Sequence, residues 1–473
     1  MVFEMSETVV EKLADFATDI EFKDLPEDVV KMTKTILLDT IGCAIGGTSG
    51  EISKCMRRVL SELGGREEST VIGDGKTNSA NATLANGCAA RYLDFNDIYI
   101  SHTRETVHAS EAMIPTALAL GESEQLSGKE IVTAIALGYD IYMRIADSPL
   151  KGFVERQWNA SGCSLGTAVT AGKLLGLTKE QLMNAMAINS PKIMMGYGQH
   201  FRGAVSWMKD LHGAWDAHEG IVAALMAKNG FKAASAIFEG KNGFCDWVGG
   251  CDFDSLYADL GKRFRITEMW LKPYSCMYAF HTALDIAKKI VNEHHLTPEE
   301  INQVNVRTFL RASQMAQPAH YNPTGLEHAQ FSLPFCMALV ITKGKIIPDF
   351  LSEKYRRDPK LLGLAAKVKV ALDPELDKVT LQRGDMKRPA SVQIVTSKGE
   401  TYEERLDYPK GQWPQNPMSE DEVQEKFRGL ASKLIKKRQI ENIVKSVERL
   451  EKLQDINELM KPLALKGGKR AKT

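Results

Sequence analysis

The chain has 473 residues, of which 44% are hydrophobic and 25% charged, and its 60 basic and 60 acidic side chains cancel to zero net charge. That length is too great for one simple core, and the apolar fraction is ample for folding, so two domains without disordered bias are expected. Balanced charge excludes a global pull toward nucleic acid or anionic membrane, and no apolar run reaches the roughly 18 residues that a spanning helix needs.

The opening MVFEMSETVVEKLADF is acidic and amphipathic, without the basic start and apolar core of a secretory signal. A soluble, cytoplasmic protein is the expectation. Residues 6–20 place Val9, Leu13, Phe16 and Ala17 at helical spacing. A second helix follows Pro26, with Val29, Met32, Ile36, Leu37 and Ile41 on one face, and closes on the glycine cluster Gly42, Gly46 and Gly47. Residues 51–64 read as helix, STVIGDG near 69–75 as a strand or extended turn, and 78–93 as helix again.

Ser127 with Glu130 forms a capping-box pattern before a helix at 127–146, and the small residues of SGCSLGTAVTAGKLL suit a tightly packed interior helix at 161–175. Thr178 and Gln181 cap a helix at 178–190, and 209–229 reads as one long helix. The character changes after Trp270. A helix at 277–293 and the start signal Thr297-Pro298-Glu299-Glu300 lead into INQVNVRTF, which alternates as a strand does. Further strands are expected at 366–371 and on either side of Lys398-Gly399, a hairpin turn. A capping box at Ser419 then opens a helical run to about Leu463, before a basic tail. The pattern predicts a mainly α protein: a helical domain built from both ends of the chain, with an inserted α+β domain and a ligand cleft where the two meet.

The stretch RYLDFNDIYISHTRETVHAS mixes Asp94 and Asp97 with aromatics and then reaches His108. Acidic groups among aromatics are expensive to desolvate unless something binds them, so the mixture points to a site; the plain alternative is a capping turn between helices. Lys209 in SWMKDLHGAWDAHEG and Lys272 in LKPYSCMYAFH are candidate carboxylate anchors, with His281 beside the second. His200 and Arg202 lie between glycines in GYGQHFRG, and Tyr321 lies in a Pro/Gly loop. Eight cysteines without a C-x-x-C pair read as reduced, buried small residues, which argues against an iron–sulfur cluster. The scattered histidines form no zinc pattern.

Taken in order, LLDTIGCAIGG (37–47), NGCAARYLDFND (86–97), HAS (108–110), MKDLHGAWDAHEGIVAALMAKNGF (208–231), KPYSCMYAFHTALD (272–285), EHAQFSLPFCMAL (327–339) and SEDEVQEKF (419–427) resemble the MmgE/PrpD family. The resemblance implies a helical domain from residues 1–267 plus 406–473, an α+β lid domain at 268–405, homodimerisation, and a site between the domains that works without metal or cofactor. By position it implies catalytic roles for Asp97, His108, Lys209, Lys272 and Tyr321, with Asp94 in the same motif.

It further implies a lyase acting on a small polycarboxylate, with dehydration of a 2-methylcitrate-like 3-hydroxy acid expected first. Decarboxylation of a cis-aconitate-like acid and epimerisation of an iminodisuccinate-like acid are the alternatives within the family; an inactive dimeric binding protein is the alternative outside enzymology. Asn159 stands where many members carry histidine, and asparagine cannot shuttle a proton near neutral pH. Asp94, Asn159, His200, Arg202 and His281 are expected to bind substrate, with His200 and Arg202 setting its choice.

Overall fold

The computed structural model describes residues 7–101, 106–150, 163–194, 207–380 and 386–464. Local signals in the sequence set the helix starts. α1 (Val9–Asp19) begins with a reciprocal capping box between Thr8 and Glu11, and α2 (Glu27–Gly47) follows Pro26 with Glu27 and Asp28 against the positive end of its dipole. α3 (Glu51–Leu63) and α4 (Ser79–Tyr92) come next, the latter capped by the Asn78 side chain. Between them lies only a two-residue hairpin, β1 (Ser69–Thr70) with β2 (Lys76–Thr77).

α4 is built from small residues and is buried along nearly its whole length, packing against α2. The glycines of α2 make this possible. A Cβ on Gly47 would lie 2.0 Å from the Ala89 carbonyl oxygen, and one on Gly46 would lie 2.8 Å from Leu93. The glycine cluster therefore serves close packing, and α2 runs through Gly42 and Gly46 instead of ending at the first of them.

A second small hairpin, β3 (Tyr99–Ile100) with β4 (Thr106–Val107), was not legible as strand; it leads into α5 (Ser110–Glu124). α6 (Gly128–Asp147), with the Ser127–Glu130 box, packs on α7 (Cys163–Leu174). There a Cβ on Gly138 would meet the Thr170 hydroxyl at 2.0 Å, so the small residues again set the helix separation. α8 (Lys179–Asn189) and α9 (Met208–Lys228) complete this helical part.

The expectation that every cysteine is reduced needs correcting. Cys245 and Cys251 are joined in a disulfide, their Cα atoms 5.0 Å apart, because Gly249 and Gly250 adopt left-handed backbone angles and fold the intervening segment back.

The α+β part contains α10 (His281–Glu293), α11 (Leu333–Lys343) and α12 (Pro359–Ala366) around a four-stranded sheet. Its strands are β5 (Ile301–Thr308), β6 (Val368–Leu372), β7 (Ala390–Thr396) and β8 (Thr401–Leu406), in the order β6-β5-β7-β8. β5 and β6 are parallel and the other pairs antiparallel, with Gly399 at φ 85° in the β7–β8 turn.

Helix then returns as α13 (Glu420–Ala431) and α14 (Lys437–Glu448). The predicted continuous run breaks between them, where Ile435 is buried and the chain turns so that Ile440, Ile443, Val444 and Val447 face the core. One apolar core joins residues from Val9 to Leu271 with those from Val423 to Leu463; a second lies between Tyr274 and Ile394. The protein is thus mainly α, in two domains. No helix among the described residues is long and apolar enough to cross a membrane.

Candidate active site

The site forms where α4 ends and α5 begins, close to the passage from one core to the other. After the cap of α4 at Leu93, Asp94 takes a left-handed conformation (φ 47°), uncommon outside glycine but tolerated by aspartate. This turn directs the Asp94 carboxylate inward. Arg91, on the last turn of α4, donates to it at 2.5 Å. Lys272 donates at 3.0 Å to the carboxylate and at 3.2 Å to the Asp94 carbonyl, and the Lys209 ammonium lies 4.0 Å away.

Lys272 is placed by the short backbone pairing of Ile98 with Trp270, and Lys209 by the first turn of α9. All four side chains are buried. Burial opposes ionisation of Asp94, but Lys272, Arg91 and Lys209 together outweigh it and hold the carboxyl well below the usual range. Burial also lowers Lys272, with Asp94 acting in the other direction. Lys209 has a second neighbour, Asp210 at 2.5 Å, whose carboxyl burial pushes up to about 6.

A second group adjoins this knot of charge. Asp97 accepts from the Ser110 hydroxyl at 2.7 Å and from the Tyr139 hydroxyl at 2.8 Å, and burial raises it to about 6. His108 Nδ1 lies 2.7 Å from the Asp97 carbonyl oxygen. A carbonyl only accepts, so Nδ1 carries the proton and Nε2 keeps its lone pair. Burial, with Arg91 and Lys272 nearby, drives the imidazole well below its ordinary pKa, so it is neutral at pH 7.

Glu111 completes this group: it accepts from Asn96 at 2.6 Å and lies 3.4 Å from Arg91. One donor atom each from Asp97, His108 and Glu111 falls within 4.8 Å of the others. These residue types could hold a cation, but both Asp97 oxygens already accept hydrogen bonds, and the Arg91 guanidinium beside Glu111 would repel one. The arrangement suits proton transfer better than metal coordination.

The structure therefore brings Asp94, Asp97, His108, Lys209 and Lys272 together. His281, at the start of α10, is buried between the Tyr274 and Tyr278 rings, with Nε2 3.4 Å from the Cys276 carbonyl. Burial and then the Lys272 charge keep it neutral. Tyr321 is not joined to the group by a contact: its hydroxyl donates to the Val368 carbonyl of β6 at 2.9 Å, within the smaller domain. Asn159, His200 and Arg202 lie outside the described residues.

Sequence reasoning missed Arg91, Asn96, Glu111, Tyr139 and Asp210, and also a buried brace from α13. Lys426 lies 2.7 Å from Asp39 of α2 and donates to the carbonyls of Phe95 at 2.5 Å and Lys272 at 3.1 Å. It thereby holds the two segments that carry Asp94 and Lys272. A lysine in the otherwise solvated pattern of EDEVQEKFRGL gave no sign of this.

Comparison with known proteins covers both domains. The family model for the MmgE/PrpD N-terminal domain matches residues 11–255, and that for the MmgE/PrpD C-terminal domain matches residues 274–452. Curated relatives align along almost the whole chain. The cis-aconitate decarboxylase of Mus musculus is 25% identical over 97% of this chain and 94% of its own length. That of Homo sapiens is 24% identical over 96% and 94%, and that of Aspergillus terreus 23% over 96% of each.

Proposed function

Because the chain belongs to the MmgE/PrpD family, its two domain models spanning most of the sequence, we propose that it is a lyase acting on a small polycarboxylate by proton transfer between its own side chains. The observation that carries this reading is a neutral imidazole, His108, whose Nε2 carries no proton, set against three buried cations. Arg91, Lys209 and Lys272 share one firmly ionised carboxylate, Asp94. Lys209 also has Asp210 beside it, so a ligand with two or three carboxylates engages the set by taking over these partners, through charge-assisted hydrogen bonds.

In this reading Lys209 and Lys272 hold substrate carboxylates, and His108 removes the proton from the carbon next to one of them. The lysines stabilise the charge that develops. Asp97 fixes the segment, through its carbonyl to the imidazole and its carboxylate to Ser110 and Tyr139. Dehydration of a 3-hydroxy acid of the 2-methylcitrate type is the favoured reaction, because elimination needs a base and an acid at once and the site supplies both kinds of group side by side. Decarboxylation of a cis-aconitate-like acid is the second reading, favoured by the activity after which the relatives are named. Asn159 in QWNASG weighs against it, having no proton to shuttle. Tyr321 is proposed to engage substrate only after leaving Val368.

The test is incubation with a panel of di- and tricarboxylates, followed by mass analysis of the products. Loss of water supports dehydration, loss of carbon dioxide supports decarboxylation, and inversion without mass change supports epimerisation. Thermal stabilisation by an acid that is never converted would replace the lyase reading with that of a binding protein.

A further inference from the structure

Glu111 is the second residue of α5, and the residues after it, Ala112, Met113, Ile114 and Ala117, are all buried apolar side chains. The glutamate itself has no exposed surface. Its Oε2 accepts from Asn96 at 2.6 Å, whereas Oε1 accepts no hydrogen bond among the described residues. Arg91 is the nearest cation at 3.4 Å, but its short contact, at 2.5 Å, is to Asp94. A carboxylate in such a place is poorly compensated, whereas a carboxylic acid is not.

The space it occupies has been made for it. On α9, a Cβ at Gly213 would lie 2.8 Å from the Glu111 Cγ and 2.9 Å from Oε1, so only glycine at 213 leaves the carboxyl where it is. The groups facing it from the packed elements are Arg91 and Cys88 of α4, Asp97 and His108 of the preceding segment, Tyr139 and Tyr142 of α6, Cys163 of α7, and Lys209 of α9. Burial, opposed by Arg91, pushes its carboxyl up to about 8.

We propose that Glu111 is the proton reservoir of the site: a buried carboxylic acid, placed by Asn96 and given room by Gly213, that exchanges a proton with the His108–Asp97 pair. The proposal rests on the lyase reading above. In an elimination, His108 Nε2 takes the proton from carbon and the C–H electron pair becomes the double bond. The C–O bond breaks, and the departing hydroxyl leaves as water with the proton that Glu111 releases. The imidazolium then returns its proton to Glu111, so that substrate is balanced by product and water. In this scheme Glu111 is the acid of the elimination, and His108 is its base.

Infrared difference spectra between pH 6 and pH 9 test the proton store without any substrate. The wild type should show a protonated carboxyl band that disappears with a midpoint near pH 8. Glu111→Gln should lack that band, and Gly213→Ala should shift its midpoint. In the activity assay Glu111→Gln should lose roughly 100-fold in kcat with the alkaline limb of the pH profile flattened, and Glu111→Asp should recover part of both. A wild-type spectrum without a titrating carboxyl band overturns the proposal, as does a Gln variant whose kcat and pH profile match the wild type. If the band titrates as stated but no acid in the panel is converted, the lyase reading falls while the buried acid stands.

Discussion

Replacing Asp94 by Asn is the sharpest test of whether the cations are as desolvated as their packing indicates. The substitution keeps the shape and tolerates φ 47°, so the backbone is little disturbed and the charge alone is removed. What remains is Arg91, Lys272 and Lys209, previously 2.5, 3.0 and 4.0 Å from the missing charge, in a site where both Asp94 and Lys272 side chains are only 2% exposed. Each such contact has a gross attraction of about 4 kcal/mol at an effective dielectric near 20, most of it offset by desolvation. Removing one partner of a buried pair leaves a net loss of about 3–5 kcal/mol.

The assay is urea unfolding, in which the midpoint should fall while the slope is unchanged. Because the Asp94 carboxyl is held below its ordinary pKa, its contribution is present above about pH 4 and is lost as acid takes it through the folded value, so the gap between wild type and variant should close in acid. Citrate should raise the midpoint of Asp94→Asn more than that of the wild type, by filling the vacated charge. A loss below about 1 kcal/mol, the range of solvent-exposed pairs, would refute the reasoning.

His108→Gln should lower kcat by at least about 100-fold with the unfolding midpoint nearly unchanged; equal loss of both would assign His108 a structural role. Asp97, raised to about 6, and Glu111, raised to about 8, keep protons in the folded state that the unfolded chain has lost. Below about pH 6.5 the neutral His108 and His281 oppose this, so the clean window is from about pH 6.5 to about 8, where the stability of the wild type should fall relative to Glu111→Gln by about 1.4 kcal/mol per pH unit, and no difference in slope would contradict it. Lys426→Met strands the buried Asp39 carboxylate and should lower stability by about 3–5 kcal/mol while raising KM, since the Phe95 and Lys272 carbonyls lose their common donor. The proposed homodimer would use the exposed face of α9, where Trp207, Trp215, Val222 and Leu225 recur at helical spacing at 45, 40, 38 and 39% exposure. Trp215→Glu with Val222→Glu should then halve the mass seen by light scattering, and an unchanged mass would exclude this face.

What was legible in the sequence is what depends on near neighbours. Capping boxes at Ser127 and Ser419 fixed helix starts, and the Gly399 turn with its alternating flanks fixed a hairpin, because these signals are local. Asp94, Asp97 and His108 were found for the same reason: they occupy one short connection. Arg91 and Glu111 sit only a few residues away yet escaped notice, since a basic residue in a last helical turn and an acidic one in a first turn are ordinary dipole partners. Their burial is decided by α9 and α6, which pack from far along the chain. Lys426 escaped for a similar reason, its helix reading as solvated surface until α2 is laid against it. The break after α13 and the Cys245–Cys251 disulfide likewise follow from which residues the core takes in, a property that no window of sequence contains.

The placement of charge also explains why the reacting groups and the anchoring groups do not neutralise one another. A compact cluster of three cations and four acids would ordinarily collapse into ion pairs, leaving no free base. Here the left-handed turn at Asp94 turns one carboxylate toward Arg91, Lys209 and Lys272, and this carboxylate alone is held firmly ionised. Asp97, Asp210 and Glu111 are raised by burial and are tied by neutral donors or by a single cation. His108 faces a backbone carbonyl where a carboxylate would have charged it, so it stays neutral and basic at Nε2. Moving the Asp97 carboxylate into the place of its own carbonyl would raise the imidazole pKa and remove the base. The separation therefore depends on the Ser110 and Tyr139 hydroxyls that hold that carboxylate away, and Tyr139→Phe should shift the acid limb of the activity profile toward higher pH.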